Sequence, residues 1–209
     1  MKPSRYINHS FKAVSIAMKY GWQPGARYTN LRDIKRYDRI GFMDIDWKNY
    51  SFAKHIAAVK SAHPKLTVAR DIIDIQSIET ILEEAELLSL YCEKVIIVPK
   101  DKKLSSIMES LIPKKYILGY SVPTKYGGTQ IPTKYFKRPV HLLGGRPDVQ
   151  RKLAYEMEVA SFDCNRFTFD AAFGDYFDGE IFRPHPTGGY AACIEDSIIN
   201  INTLWADYV

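Results

Sequence analysis

Short apolar runs that end in polar residues recur along the chain, and this repeat limits its fold more than any other feature. The runs follow one another at intervals of roughly 20–28 residues, and most are separated by a stretch with helical spacing. They cover residues 40–46, 66–71, 94–100, 116–122, 140–146 and 159–166. Runs that are apolar on both faces and alternate with helices indicate a parallel sheet covered by helices.

The segments between the runs have the apolar periodicity of amphipathic helices. Helices are predicted over residues 52–62, 77–91, about 105–111, 149–157 and 190–205. Ser77 is a suitable side-chain cap for the second of them. If right-handed crossovers close the sheet on itself, the fold is a compact (β/α)8, TIM-like parallel barrel, complete or incomplete, with a C-terminal helix. An open doubly wound sheet is the alternative.

The two ends of the chain have weaker patterns. Residues 11–18 fit a strand or a short helix, and Gly21-Trp-Gln-Pro-Gly25 is typical of a turn. Residues 28–39 predict either a solvated helix face or a nucleic-acid contact, because they are basic and aromatic. The basic residues in this stretch and just before it are Arg27, Arg32, Lys35, Arg36 and Arg39. We expect one domain over 1–209, with an N-terminal basic segment (1–38) and a C-terminal loop and helix (167–209).

Composition narrows the class of protein. The net charge of +5 permits contact with a polyanion without requiring one. The three cysteines, Cys92, Cys164 and Cys193, are too widely spaced for a CxxC metal motif, and their odd number does not suggest a disulfide framework. We therefore expect a reducing, cytoplasmic location. No apolar run approaches the roughly 18 residues needed to cross a bilayer, so no membrane contact is predicted.

Polar residues collect where the apolar runs end. In a parallel barrel the carboxyl ends of all strands lie at the same mouth, and enzymes of this fold have their active sites there. The candidates are Asp44 and Asp46; Arg70 and Asp71; Lys100; Gly119, Tyr120 and Ser121; Gly144, Gly145 and Arg146; and Asp163, Asn165 and Arg166. The sequence predicts a shared polar site, although Asp also favours turns and caps for purely structural reasons.

Carboxylates that converge in this way serve two kinds of chemistry. They can bind a divalent cation through oxygen ligands, or one can attack a sugar carbon while a second carries a proton.

Gly144-Gly145-Arg146 is either a phosphate site at a helix start or a plain tight turn before Pro147. We expect His141 and His185 to be structural. The chain has no GxGxxG or GxxxxGK[ST] phosphate loop.

Two segments near the last runs resemble a known family. Phe162-Asp163-Cys164 and, one unit earlier, His141-Leu-Leu-Gly-Gly-Arg-Pro-Asp148 are similar to the end of the tRNA-guanine transglycosylase barrel. In that family an LMGVGTPED segment leads to an FDCVMPTR strand. The resemblance implies a (β/α)8 barrel that exchanges guanine in a nucleic acid for a 7-deazaguanine, and phage relatives act on DNA.

The resemblance also implies roles for individual residues. Asp163 would be the nucleophile at the sugar C1′, and Asp44 or Asp46 would transfer protons. Asp71 would bind the edge of the guanine, Gly119 would contact the base, and Tyr120 or another strand-end aromatic would stack on it. Arg146 and the basic N-terminal segment would hold phosphates.

The chain departs from this family at three places. The family's DSGGF is replaced by Asp44-Ile-Asp-Trp47, its glutamine strand end by Pro99-Lys100, and its cysteine-rich zinc motif is missing. We therefore predict no structural zinc and no cofactor. The first hypothesis is a base-exchanging transglycosylase on DNA or RNA, with a homodimer as a compatible assembly. The alternatives are a metal-assisted hydrolase or lyase using Asp44, Asp46 and Asp71, and a non-catalytic nucleic-acid-binding protein.

Overall fold

The computed structural model describes residues 2–32, 36–125 and 127–208. Its centre is a closed barrel of eight parallel strands, which confirms the predicted fold class. The strands are β1 (Ser4–Ile7), β2 (Gln23–Arg27), β3 (Phe42–Asp44), β4 (Leu66–Val68), β5 (Lys94–Ile97), β6 (Ile117–Ser121), β7 (Val140–Leu143) and β8 (Val159–Asp163). They are hydrogen-bonded in chain order, and β8 closes on β1.

Helices cover the outside of the barrel. They are α1 (Phe11–Met18), α2 (Phe52–Ala62), α3 (Ile78–Ser89), α4 (Met108–Leu111), α5 (Pro147–Leu153), α6 (Arg166–Ala171) and α7 (Tyr190–Leu204). Short 3-10 turns occupy Ile75–Ser77, Lys102–Leu104 and Thr133–Tyr135. The predicted helices are all present, although α4 and α5 are shorter than expected. Among the described residues no helix has the length and apolarity required to span a membrane.

The first two strands are the main error of the sequence interpretation. The segment predicted as a turn contains the start of β2, and the real turn comes just before it, at residues 19–21. Pro24 and Gly25 concealed the strand, since both residues weaken strand propensity. Gly25 fits because a Cβ there would lie 3.2 Å from the backbone oxygens of both Ile7 and Phe42. Close approach of three strands therefore explains a glycine in mid-strand.

Other local expectations also need correction. Residues 28–31 and 36–39 form turns, one isolated bridge and irregular structure, so no α-helix spans residues 28–39; Lys35 lies outside the described residues. The Ser77 hydroxyl donates to the Asp74 carbonyl (2.6 Å) and caps no helical N–H. The C-terminal segment is not a loop followed by one helix, because it contains α6 and a hairpin of β9 (Asp175–Phe177) and β10 (Phe182–Pro184).

The last helix, α7, covers the barrel next to the β8–β1 closure. It packs on α1, α6 and β9. Just beyond its end, Trp205 stacks on Phe162 of β8, with ring centroids 4.7 Å apart. Asn202 of α7 accepts from the indole nitrogen of Trp22 at 2.9 Å, which ties it to the start of β2. These buried contacts hold the two ends of the chain together.

Candidate active site at the barrel mouth

A cavity of about 550 Å³ opens at the carboxyl ends of the strands. Its size is within the range of small-molecule sites. It is lined by Asp44, Ile45, Trp47, Val68, Asp71, Ile73, Lys100, Ser121, Val122, Thr124, Gly127, Gly128, Gln130, Leu143, Gly144, Gly145, Asp163 and Asn165. Residues from β3 to β8 and their following loops thus converge, as expected for this fold.

Asp163 is the last residue of β8, and its carboxylate is held from one side. Its Oδ1 accepts a hydrogen bond from the Gly144 N–H (3.0 Å) and lies 3.4 Å from Nε2 of His141. No hydrogen bond from a described residue reaches Oδ2. The side chain is 6% exposed and lines the cavity. One oxygen is therefore fixed, and the other is available to a bound ligand.

The backbone around Asp163 is also fixed. Gln150 of α5 is fully buried, and its Nε2 donates to the carbonyl oxygens of Gly144 (2.7 Å) and Asp163 (2.8 Å). This one amide links the ends of β7 and β8. Gly144 and Gly145 have positive φ angles of 59° and 86°, and a Cβ on Gly145 would lie 2.6 Å from Cβ of Val122. The two glycines thus let the turn pass under the cavity and present an N–H to the carboxylate.

Asp44 is the last residue of β3, and its surroundings raise the pKa of its carboxyl group. The residue is partly buried and lines the cavity, and its Oδ1 accepts from the Ile45 N–H at 2.8 Å. Burial, and then the negative charge of Asp163, raise the pKa of Asp44 to about 7; the Ile45 N–H and Arg27 oppose the rise. Arg27 is the register partner of Asp44 across β2 and β3. At neutral pH this carboxyl can therefore both give and accept a proton.

Asp71 and Lys100 follow β4 and β5 on another side of the cavity. The ammonium of Lys100 lies 2.7 Å from Oδ2 of Asp71, and the side chains are 26% and 14% exposed, respectively. The loops are joined by backbone bonds, because the N–H groups of Lys100 and Asp101 both donate to the Ile72 carbonyl (2.9 and 3.0 Å). The cavity thus presents an acceptor next to a donor at a fixed spacing.

Residues 17–206 match a protein family described as a family of unknown function, DUF6610. The chain belongs to this family. The matched segment runs from the end of α1 to the last turn after α7, and it contains every residue that lines the cavity. Of the barrel, only β1 lies outside it. No curated protein matches this DUF6610 chain.

Eight of the predicted site residues line the cavity of the DUF6610 barrel. They are Asp44, Asp71, Lys100, Ser121, Gly144, Gly145, Asp163 and Asn165. Asn165 also accepts from the Asn8 N–H (2.7 Å), which joins the ends of β8 and β1. Ser121 is held by Thr129, since its N–H donates to Oγ1 of Thr129 (3.0 Å) and its carbonyl accepts from the Thr129 N–H (2.9 Å). The predicted convergence of distant residues is thus seen for this group.

Asp46, Gly119 and Tyr120 do not line the cavity. The carboxylate of Asp46 turns towards the backbone N–H of Lys48 (3.3 Å), so Asp44 is the early acid at the site. Tyr120 faces the outside of the barrel wall, where its ring meets Phe136 edge-on at 5.2 Å. Gly119 lies inside the wall, and a Cβ there would come within 3.0 Å of Ile96, Val98 and Leu143. Its role is to let neighbouring strands pack.

Arg146 and Arg166 also lie outside the cavity wall. Arg146 pairs with Asp148 (2.9 Å), and Arg166 pairs with Asp170 (2.7 Å). Both guanidinium groups sit over the ring of Phe182 in the C-terminal hairpin, at 5.4 and 5.6 Å from its centroid. They follow β7 and β8, so they stand on the outer rim beside the site and not within it.

Sequence reasoning missed two exposed apolar residues at the mouth. Trp47 is 60% exposed and Ile73 is 74% exposed, and both line the cavity. Trp47 comes three residues after Asp44, so an aromatic residue just beyond a strand-end acid was the available signal. The resemblance implies Tyr120 or another strand-end aromatic as the stacking residue, and Tyr120 does not line the cavity. Strand periodicity explains the error, since Tyr120 is flanked by the inward residues Gly119 and Ser121.

The basic N-terminal segment does not reach the cavity through its described residues. Arg39 forms an ion pair with Glu93, and the guanidinium of Arg36 lies 4.7 Å from the ring centroid of Phe11.

His185 pairs with Asp196 (2.8 Å), which fits its predicted structural role. In the described ranges no group of three or more His, Cys, Asp or Glu side chains is arranged to hold a metal ion.

Proposed function

We propose that this protein is a transglycosylase that exchanges a guanine-type base in DNA or RNA for a 7-deazaguanine-type base. The observation that supports this most strongly is the pairing of Asp163 with Asp44 in one cavity. One carboxylate has a fixed oxygen and an available oxygen, and the other has a pKa of about 7. A carboxylate with an oxygen free to attack, beside a carboxyl group with a pKa near neutral, is the pattern used for displacement at a sugar carbon.

In the first half-reaction the available Oδ2 of Asp163 attacks C1′ of the target nucleotide. A C1′–O bond forms, the bond from C1′ to the base nitrogen breaks, and its electron pair goes to the departing base. The protonated carboxyl of Asp44 supplies the proton that neutralises this base. Asp44 suits this step because its pKa lies close to neutral pH.

In the second half-reaction the incoming base takes the position that the first base has left. The Asp44 carboxylate removes the proton from its ring nitrogen, and this nitrogen attacks C1′. The ester to Asp163 breaks, and the carboxylate returns to the hydrogen bond from the Gly144 N–H. Each proton given by Asp44 in the first half is recovered in the second, so no cofactor is consumed.

The ion pair of Asp71 and Lys100 would read the base. The six-membered edge of guanine presents two N–H donors next to a carbonyl acceptor. Asp71 can accept from the donors while Lys100 donates to the carbonyl, and hydrogen bonds to charged groups are the stronger kind. The family resemblance assigns the same acid to this task, and Lys100 stands where that family has glutamine.

Trp47 and Arg146 would hold the remainder of the nucleic acid. The exposed indole can stack on a base at the mouth, since base stacking on aromatic side chains contributes about 1–3 kcal/mol. Arg146 on the rim can contact a phosphate. Every residue proposed for chemistry comes from the barrel and its loops, so the proposal requires no residue from the missing zinc motif.

The metal-assisted alternative receives less support from the side-chain positions. Asp46 bonds to its own turn and Asp71 is paired with Lys100, so the three acids proposed for that site do not form a shared ligand set. The non-catalytic alternative remains an outcome of the test below.

The deciding experiment uses DNA and tRNA with isotopically labelled guanine, each incubated with the protein and an excess of unlabelled 7-deazaguanine base. We expect release of labelled guanine, and mass spectrometry after denaturation should find an ester between Asp163 and the nucleic acid. Asp163→Asn should lower release at least about 1000-fold, as loss of a nucleophile does elsewhere. Asp46→Asn is the matched control and should keep activity.

Release that persists in Asp163→Asn would refute the nucleophile assignment. Salt-sensitive binding by both proteins, without any release, would favour the non-catalytic alternative.

A further inference from the structure

His141 lies inside the barrel, directly beneath the proposed nucleophile. It belongs to β7, it is fully buried, and its ring stacks on Phe42 with centroids 5.0 Å apart and an interplanar angle of 22°. Tyr6 packs against the same ring at 6.0 Å. These contacts hold the plane of the imidazole. The orientation of its two nitrogens is therefore set by the barrel core and does not depend on a bound ligand.

Each nitrogen of this ring has a different polar neighbour. Nδ1 lies 2.7 Å from Oγ of Ser161, and Nε2 lies 3.4 Å from Oδ1 of Asp163. Ser161 and His141 are register partners on β8 and β7, and Asp163 follows Ser161 on the same inward face of β8. The strand pairing thus builds a line of three polar side chains from the barrel interior to the cavity.

The chemistry of the neighbours determines which nitrogen carries the proton. An ionised carboxylate can only accept a hydrogen bond, whereas a serine hydroxyl can donate or accept. If Nε2 were unprotonated, its lone pair would face the Asp163 oxygen without an intervening hydrogen. The arrangement consistent with an ionised Asp163 has a hydrogen on Nε2 and the Ser161 hydroxyl donating to Nδ1. Such a partner on the far side of a histidine commonly fixes its tautomer.

We propose that His141 is a positioning residue for Asp163, with its tautomer set by Ser161. Together with the Gly144 N–H, its Nε2–H fixes Oδ1 and so directs Oδ2 into the cavity. Neither His141 nor Ser161 touches the substrate. The consequence for turnover rests on the function proposed above, whereas the geometry of the line does not.

Two substitutions separate the roles of the two nitrogens. The amide of Gln can reach the position of Nε2, so His141→Gln keeps a donor for Asp163. The shorter Asn places its amide near the position of Nδ1, so His141→Asn keeps the contact to Ser161 and loses the donor. His55→Asn is the control, because His55 is also fully buried with two side-chain partners but lies outside the barrel wall, against Thr67 and Tyr50.

The first measurement needs no turnover. Nitrogen-15 NMR of the histidine rings should show His141 with hydrogen on Nε2, and Ser161→Ala should produce a mixture of tautomers. At fixed pH the carboxyl carbon-13 shift of Asp163 should change in His141→Asn, stay close to wild type in His141→Gln, and stay unchanged in His55→Asn. Hydrogen found on Nδ1 in the wild-type protein would overturn the proposal.

The second measurement is the rate of base exchange. We expect kcat to fall about 10–100-fold in His141→Asn, with KM unchanged, and to remain near wild type in His141→Gln. Equal losses in both variants would mean that the histidine only fills space, and would overturn the proposal. If the wild-type protein shows the expected NMR signatures but exchanges no base, the positioning role stands and the proposed function fails.

Discussion

Two pairs of charged residues share the mouth of the barrel, and they differ in what neutralises them. Asp71 has the ammonium of Lys100 at 2.7 Å. Asp44 and Asp163 form no ion pair with any described lysine or arginine, and burial, followed by the charge of Asp163, raises the pKa of Asp44 to about 7. An acid paired with a fixed cation is suited to hydrogen-bonding a ligand. Two acids that share a cavity without a paired cation are suited to transferring a proton. Substitutions in the two pairs should therefore have different effects on activity.

After loss of the nucleophile Asp163, Asp44→Asn should have the largest effect, because it removes the group that moves the proton. Loss of a general acid typically costs about 100- to 10,000-fold in rate. The wild-type rate of base release in a single turnover should decrease above about pH 7, since Asp44 then loses its proton. The variant should lack this pH dependence. A profile that is the same in both proteins would contradict the role of Asp44.

The same substitution should stabilise the fold at alkaline pH. The pKa of Asp44 is raised from 3.8 to about 7, so the folded protein retains a proton that the unfolded chain releases between these values. The free energy of unfolding therefore falls as the pH rises through this window. Asp44→Asn should have a higher melting temperature than wild type at pH 8 and a smaller advantage at pH 5. This combination of higher stability and lost activity is expected of a strained functional group.

Substitutions in the Asp71–Lys100 pair should mainly change which base is accepted. The negative charge of Asp71 is the smallest of the causes that raise the pKa of Asp44, so Asp71→Asn should shift the pH profile only slightly, to lower pH. Asp71→Asn removes a charged acceptor, which costs about 10–150-fold in kcat/KM if the bond contributes about 1.5–3 kcal/mol. Hypoxanthine lacks the 2-amino group of guanine, so wild type should prefer guanine and the variant should lose much of that preference. Lys100→Gln keeps a donor and should be milder. An unchanged preference in Asp71→Asn would remove this pair from base recognition.

Trp47→Ala should weaken substrate binding without slowing the chemical step. Loss of one stacked base costs about 1–3 kcal/mol, which would raise KM roughly 5- to 150-fold. Trp47→Tyr should restore most of the affinity. The control is Tyr155→Ala, because Tyr155 is 75% exposed but does not line the cavity. A fall in kcat with unchanged KM would show that Trp47 orders the site and does not hold the substrate.

The difference between the two pairs could be predicted from sequence only in part. Strand ends placed Asp44, Asp71, Lys100 and Asp163 at one mouth, because a parallel barrel leaves few other arrangements. Their charge states could not be predicted, since these depend on the distances between side chains and on burial. His141 was expected to be structural, as its neighbours Ser161 and Asp163 become adjacent only through strand register.

The missed strands have a related cause. β1 has only four residues and begins with Ser4 and Arg5, and β2 contains Pro24 and Gly25. Neither matches the apolar pattern of a buried strand, because neighbouring elements, and not their own composition, place them in the sheet. The sequence pattern therefore predicts a barrel, complete or incomplete, from six runs, whereas the structure has eight strands in a closed barrel.

Arg146→Gln should have the smallest effect and tests where the nucleic acid leaves the mouth. Arg146 stands on the rim beside Gly145, but Asp148 at 2.9 Å already neutralises part of its charge. Losing one phosphate contact should reduce affinity only a few-fold and lower the slope of log affinity against log salt by about 0.7–0.9. Arg183→Gln in the hairpin is the control, because Arg183 pairs with Asp178 away from the cavity. An equal change of slope in both variants would mean that the strand crosses the hairpin, and an unchanged slope in both would direct it towards the Trp47 side of the mouth.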